Sequence, residues 1–218
     1  MASISKRVKE LVDRDLGIQD ALARNYANLS SLARLIKPKL ESSTGSKVSM
    51  ASIVSALKRL RNYYKIEPFN VREVIANSKL NVRTDVVKLC VERTKRTEEI
   101  VRKIIQEYRE EFLQLTESLY SITIIFDQKI LSEVKGNFRR GEILEFEKDL
   151  AAIIVQSPKE IIKTVGCAVS FYNEVSRRYI NMEDTVSCYT DTIIVVKMSD
   201  VSKAFLALAE LITRARES

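Results

Sequence analysis

A chain of 218 residues, 45% hydrophobic and 30% charged, has the balance of a globular protein with room for one large domain or two or three small ones. It holds no histidine, three scattered cysteines without a CxxC pair, and five glycines that build neither a GxGxxG nor a GxxxxGK phosphate cradle. Ser-His and Cys-His nucleophile pairs and a recognisable zinc site are thereby excluded, so we expect no catalytic residues, no cofactor and no metal.

The start, "MASISKRVKELVDRD", is charged and lacks the apolar core of a signal peptide, and no apolar run approaches the roughly 18 residues of a membrane span. The expectation is a cytoplasmic protein without membrane contact. Cys90, Cys167 and Cys188 sit in apolar settings and read as buried free thiols. The net charge of +7 is unevenly placed: residues 1–76 carry 14 Lys and Arg against 7 Asp and Glu, and the rest of the chain balances at 22 against 22. A basic nucleic-acid-binding head on a neutral body has this asymmetry, and so does a head whose basic surface is only solvated.

In chain order, "SISKRVKELVDRDL" places Ile4, Val8, Leu11 and Val12 on one helical face. Gly17 is expected to loosen the chain before "IQDALARNYA" resumes a helix. "NLSSLARLIKPKLE" opens at Asn28, a good N-cap, and points Leu29, Leu32, Leu35 and Ile36 inward. Pro38 and "SSTGSK" (Ser42 to Lys47) are expected to end it, which leaves a turn from about Lys37 to Val48.

"VSMASIVSALKRLRNYYK" opens at Ser49, a second N-cap, with Met50, Ile53, Val54, Leu57 and Leu60 as its apolar stripe. Ser52, Ser55, Lys58, Arg59, Asn62 and Lys65 form the opposite face. Small polar residues early and cations later suit a helix in a major groove, where the first turn reaches base edges and the cations meet phosphates. The candidate DNA-binding residues are Lys47, Ser49, Ser52, Ser55, Lys58, Arg59, Arg61 and Asn62, on a helix-turn-helix plan. The stretch "FNVREVIANSKLNVRTDVVKLCVER" (Phe69 to Arg93) reads as β-like, either a winged-helix hairpin around Asn77 to Lys79 or the first strand of the next domain.

From "LNVRTDVVKLCVER" the order strand, helix, two strands, short helix runs to "KILSEVKGNF", and "GEILEFE" supplies an extra strand. "DLAAIIVQS" is then a strand and "SPKEIIKTVG" a loop. "CAVSFYNEVSRRYI" is a helix with Val169, Tyr172, Val175 and Ile180 at helical spacing. "MEDTVSCYTD" and "TIIVVKM" are strands about a turn near Thr190–Asp191, and "SDVSKAFLALAELITRA" is a helix capped by Ser199 or Asp200. This is the β-α-β-β-α order of a split βαβ plan, repeated in tandem.

The stretch from Val165 to Ile212 resembles an ACT domain of the aspartate-kinase type. The resemblance rests on a glycine-bearing loop before the helix, the Ile180-Asn181-Met182 turn after it, two strands, and the "D-x-x-K-A-hydrophobic" helix from Asp200 to Phe205. It covers about the last 65 residues. It implies a ferredoxin-like βαββα ACT-like unit at 147–218. With the repeated strand-helix order, read as a degenerate ACT-like unit at 77–146 without the Ile-Asn turn, and the basic helices, read as a helix-turn-helix or winged-helix-like domain at 1–76, the expected fold class is α+β. It also implies an effector pocket from Ser157, Gly166, Asn181 and Met182, in which asparagine meets a zwitterion and loop N–H groups receive its carboxylate. Alternatively Asn181 only turns the chain. The expected function is a non-enzymatic, ligand-responsive transcriptional regulator. Its partners are duplex DNA, a small-molecule effector such as an amino acid, and a second copy in a homodimer joined through residues 147–218. The alternative is a regulatory subunit that controls a partner enzyme without touching DNA.

Overall fold

The computed structural model describes residues 3–64 and 71–217 and divides into two compact units, Met1–Pro68 and Phe69–Ser218. The first is built from α1 (Ile4–Asp13), α2 (Leu16–Ala23), α3 (Leu29–Thr44) and α4 (Met50–Tyr63). Each begins where the sequence offers a side-chain acceptor: Ser3, Asp15, Asn28 and Ser49 all take a backbone N–H of the first turn. Val8, Val12, Leu22, Ala33, Ile36, Leu40, Ile53, Ala56, Leu57 and Leu60 form one buried core.

Three local expectations fail here. Gly17 lies inside α2, whose cap is Asp15. Pro38 does not stop α3: it is exposed, so the carbonyl it deprives of a donor faces water, while buried Leu40 and the Glu41 carboxylate, bonded to Val48 N–H at 2.9 Å, carry the helix to Thr44. The connection to α4 is therefore only Gly45–Ser49, with Gly45 left-handed at φ 64°. Leu35 does not point inward; it is 63% exposed, and Ala33 and Leu40 take the inward positions beside Ile36.

The second unit starts with α5 (Val71–Ala76), so the β-like reading fails there, and no winged hairpin forms about Asn77 to Lys79. The apolar positions Val71, Val74 and Ile75 have helical spacing, and the last two are buried. There follow β1 (Lys79–Glu92), α6 (Lys95–Glu107), β2 (Leu113–Glu117), β3 (Ser121–Asp127) and α7 (Leu131–Gly136). The second repeat is β4 (Ile143–Gln156), α8 (Cys167–Ser176), β5 (Asp184–Cys188), β6 (Asp191–Lys197) and α9 (Val201–Glu217). "GEILEFE" is not a separate strand; it is the first half of β4.

The β-α-β-β-α order thus occurs twice, but the repeats share one antiparallel sheet in the order β2-β3-β1-β4-β6-β5. The two 14-residue strands pair along almost their whole length, from Lys79 opposite Gln156 to Val91 opposite Ile143. Each has a left-handed aspartate at its seventh residue, Asp85 (φ 56°) and Asp149 (φ 57°), and the ladder slips beside them. Aspartate tolerates this region better than most residues, and the bulges bend both strands at equivalent points.

One sheet face carries helices: Val87, Leu89, Val91, Ile122, Ile124 and Phe126 pack with α6 and α7, and Ile153, Val155, Ile194 and Val196 with α8 and α9. The alternate residues from both halves, Val86, Ile125, Leu150, Ala152, Val186, Ile193 and Val195, make a single further cluster. Lys88 Nζ of the first repeat bonds the Glu183 carbonyl of the second at 3.0 Å and Glu145 Oε1 at 3.0 Å. The bent sheet therefore folds its second face onto itself, with helices outside both halves.

Within α8 the buried positions are Cys167, Phe171, Glu174 and Val175; Val169, expected on the apolar stripe, is exposed. The turn after α8 is made by Tyr179, left-handed at φ 57° and 97% exposed. That conformation costs a non-glycine residue about 1–2 kcal/mol, and glycine loses about 0.5–1 kcal/mol more backbone entropy. Tyr179→Gly is expected to stabilise the protein by about 0.5 kcal/mol in urea melts, because the tyrosine ring packs on nothing. A destabilised variant would show that the ring makes contacts in solution.

Candidate functional site

The basic face of α4 is assembled by its cap. Ser49 Oγ accepts Ser52 N–H at 3.1 Å and lies 2.8 Å from Ser52 Oγ, so both serines serve the helix terminus. Lys47, Ser49, Ser55, Lys58, Arg59 and Asn62 are exposed, and Ser52 is half-buried. At about 100° per residue, Ser55, Lys58 and Asn62 share the outward face, with Ser52 and Arg59 on one flank. Arg61 does not belong with them. It falls on the opposite flank, half-buried, and its Nε is buried with no hydrogen-bond partner among the described residues. Lys65, also read onto this face, lies outside the described residues.

The sequence reading missed the contribution of α1. Arg59 Nη2 donates to Ser5 Oγ at 2.7 Å, and Lys9 Nζ stands 4.6 Å from the centre of the Tyr63 ring while pairing with Asp13 at 2.7 Å. The hydrogen bond from Lys9, with a second from the Tyr64 hydroxyl, holds the Asp13 carboxyl below the usual carboxylate range. Desolvation, then that same bond, pushes the Tyr64 phenol up. The charge of Lys9 is thus balanced locally by Asp13. Ser5 and Lys9 at i, i+4 against Arg59 and Tyr63 at i, i+4 was a readable signal, though pairing the two helices needed the fold.

The four residues expected to line an effector pocket do not meet. Ser157 is buried at the end of β4, its N–H on the Thr190 carbonyl at 3.1 Å and its Oγ 3.0 Å from Ser78 Oγ. Gly166, at φ 94°, precedes α8 at the same end of the sheet. Asn181 is exposed and donates Nδ2–H to Glu183 Oε1 at 3.0 Å, and Met182 packs against the core under α8 and α9. Because Glu183 N–H bonds the Val195 carbonyl at 2.8 Å, Asn181 and Met182 sit at the other end of β6, about 20 Å from Ser157 by strand rise. Ser157 and Gly166 form one locus, and Asn181 and Met182 another.

The Ser157–Gly166 loop is covered by α5. A Cβ on Gly166 would lie 4.0 Å from Val71 Cγ2, and Ser78, just past α5, is the partner of Ser157. Between helix and loop lies a cleft of about 290 Å³ lined by Glu73, Val74, Asn77, Pro158 and Glu160. All three cysteines are free; Cys167 is buried, which pushes its thiol pKa up, Cys90 is half-buried, and Cys188 is exposed, contrary to expectation. Among the described residues no group of His, Cys, Asp and Glu is arranged to hold a metal, and no helix is long and apolar enough to cross a membrane.

No protein-family model and no curated protein matches this sequence. Solved structures do. An aspartate kinase from Synechocystis is similar at a TM-score of 0.52 and 17% identity, over 63% of this chain and 27% of that one. The alpha and beta subunits of aspartokinase align at 0.51 and 6% identity, over 62% and 97%. The regulatory subunit of aspartate kinase from Thermus thermophilus aligns at 0.50 and 10%, over 61% and 95%. The chain thus spans about a quarter of the Synechocystis kinase and nearly all of the regulatory subunit. At these identities the likeness concerns the fold: a mixed helix and antiparallel-sheet arrangement of the aspartate-kinase regulatory, ACT-type kind.

Proposed function

We propose that the protein is a non-catalytic, DNA-binding regulator whose second unit binds a small molecule, of the amino-acid class, and dimerises. The observation that carries this reading is the confinement of charge. Residues 1–68 hold 13 Lys and Arg against 6 Asp and Glu, and the uncovered face of α4 presents Ser55, Lys58 and Asn62 with Arg59 beside them. A five-residue connection between α3 and α4 supports a helix-turn-helix arrangement, in which α4 enters the major groove and Lys47, Lys58 and Arg59 meet phosphates. The regulatory-domain fold of the second unit supports effector binding, and its two edge strands, β2 and β5, offer unpaired backbone for a second copy.

A gel shift of the intact protein on duplex DNA tests it. With about four phosphate contacts, affinity is expected to fall about 100-fold between 50 and 200 mM salt. One of the twenty amino acids, added in turn at millimolar concentration, is expected to change the Kd. No retardation at 50 mM salt sinks the DNA reading.

A further inference from the structure

We propose that α5 is a releasable strap: it closes the Ser157–Gly166 loop in this state and opens as a unit without unfolding the sheet, freeing the loop for the small molecule. This deepens the regulator reading and rests on it for the identity of what the loop receives. Four observations point the same way.

First, α5 has only six residues, fewer than a helix needs to hold itself in water. It is kept in place by the burial of Val74 and Ile75 and by a small set of polar contacts. Arg216 Nε and Nη2 donate to the carbonyls of Ala76 and Ser78 at 2.8 and 3.3 Å, and Arg72 Nε donates to the Ala215 carbonyl at 2.9 Å. Ser78 Oγ donates to the Val74 carbonyl at 2.8 Å. Each arginine thus satisfies carbonyls at the C-terminus of the other's helix, groups that otherwise turn to water.

Second, α5 stands outside the repeat. The segment before β4, which corresponds to it, is a short 3-10 turn, Arg140–Glu142, so all six strands of the sheet pair without it, and α5 adds only Val71, Val74 and Ile75 to the apolar surface of α8 and α9. Third, it spans the loop from end to end, Val71 against Gly166 and Ser78 on Ser157, and the fit is imperfect, with the cleft of about 290 Å³ left between them. The first repeat has no counterpart to this loop: only Arg93 and Thr94 separate β1 from α6, tied down by a Thr94–Thr97 capping box. Fourth, α5 lies at the start of the second unit, just past the Pro68/Phe69 boundary, so its release frees Val71 to Ser78 between the basic unit and β1. A small molecule that enters the loop binds the open state better, and the open state changes the tether of the basic unit.

Hydrogen exchange followed by mass spectrometry on the full chain tests the strap without knowing the ligand. The amides of Ile75 to Ser78 are expected to exchange at least tenfold faster than those at the centres of β1 and β4. Arg72→Ala with Arg216→Ala is expected to speed them about tenfold again and leave β4 unchanged. In a Cys188→Ser background, Ser78→Cys with Ser157→Cys, oxidised, is expected to slow them to the rate of the sheet, with reduction restoring the difference. Equal protection of α5 and the sheet, unmoved by the arginine substitutions, overturns the proposal. A gel shift of the oxidised and reduced cysteine variant is expected to differ about fivefold in Kd. Absence of DNA binding in the unmodified protein sinks the regulator reading and leaves exchange to decide the strap.

Discussion

Lys58→Glu with Arg59→Glu is expected to weaken duplex DNA binding by at least about 100-fold while leaving thermal stability nearly unchanged. Both side chains are exposed, and the one hydrogen bond lost, Arg59 to Ser5, is itself at the surface. Exposed polar contacts of this kind are worth about 1 kcal/mol or less, so the head keeps its core of Ile53, Ala56, Leu57 and Leu60. Each reversal removes a phosphate contact and adds a repulsion, which should also flatten the salt dependence, by close to one unit of log–log slope per lost contact. Arg61→Glu is the internal control. On the far flank, where the side chain is half-buried, it should cost stability more than it costs DNA affinity. Equal losses of affinity for Arg61 and Arg59 would mean that α4 presents a different face to DNA.

Leu150→Ala is expected to destabilise the second unit by about 3 kcal/mol, and so to lower its melting temperature by about 6–12 °C. Leu150 is buried and paired across the ladder with Val86, at the centre of the cluster where the sheet closes on itself. Truncation leaves a hole between two strand halves that are pinned on both sides, so relaxation is limited. Differential scanning calorimetry should show the loss in one transition. A change below about 1 kcal/mol would mean that the two halves part easily and that this cluster is not a core.

Much of this was legible from residue patterns. The helix starts at Asn28 and Ser49 follow from side chains that accept backbone N–H groups, a local rule needing no tertiary information. The β-α-β-β-α order follows from short, continuous β-branched runs in "SITIIFD" and "TIIVVK" against a period of 3.6 in the helices. What was not legible depended on neighbours distant in sequence. Pro38 reads as a stop until Leu40 is seen to be buried beyond it, and Leu35 reads as core because its spacing fits, although α3 needs only a narrow stripe. "VREVIA" was misread as a strand because valine and isoleucine favour strands, and only the surface of α8 and α9 makes it a helix. The effector residues were grouped by a family pattern, but α8 runs the length of the sheet between Gly166 and Asn181, and the two ends of a strand are not one place.

The long strands carry a final implication about where the chain can be cut. Each repeat has three strands of its own and borrows the fourth position from the opening half of the other repeat's long strand. The arrangement is that of a two-fold dimer written into one polypeptide: a half-length chain ending near Gly141 would have an open β1 edge and could close it only against a twin. The linking turn at Arg140–Glu142 therefore joins two interlocked halves of one sheet. Separately expressed halves should recover native sheet pairing only when mixed.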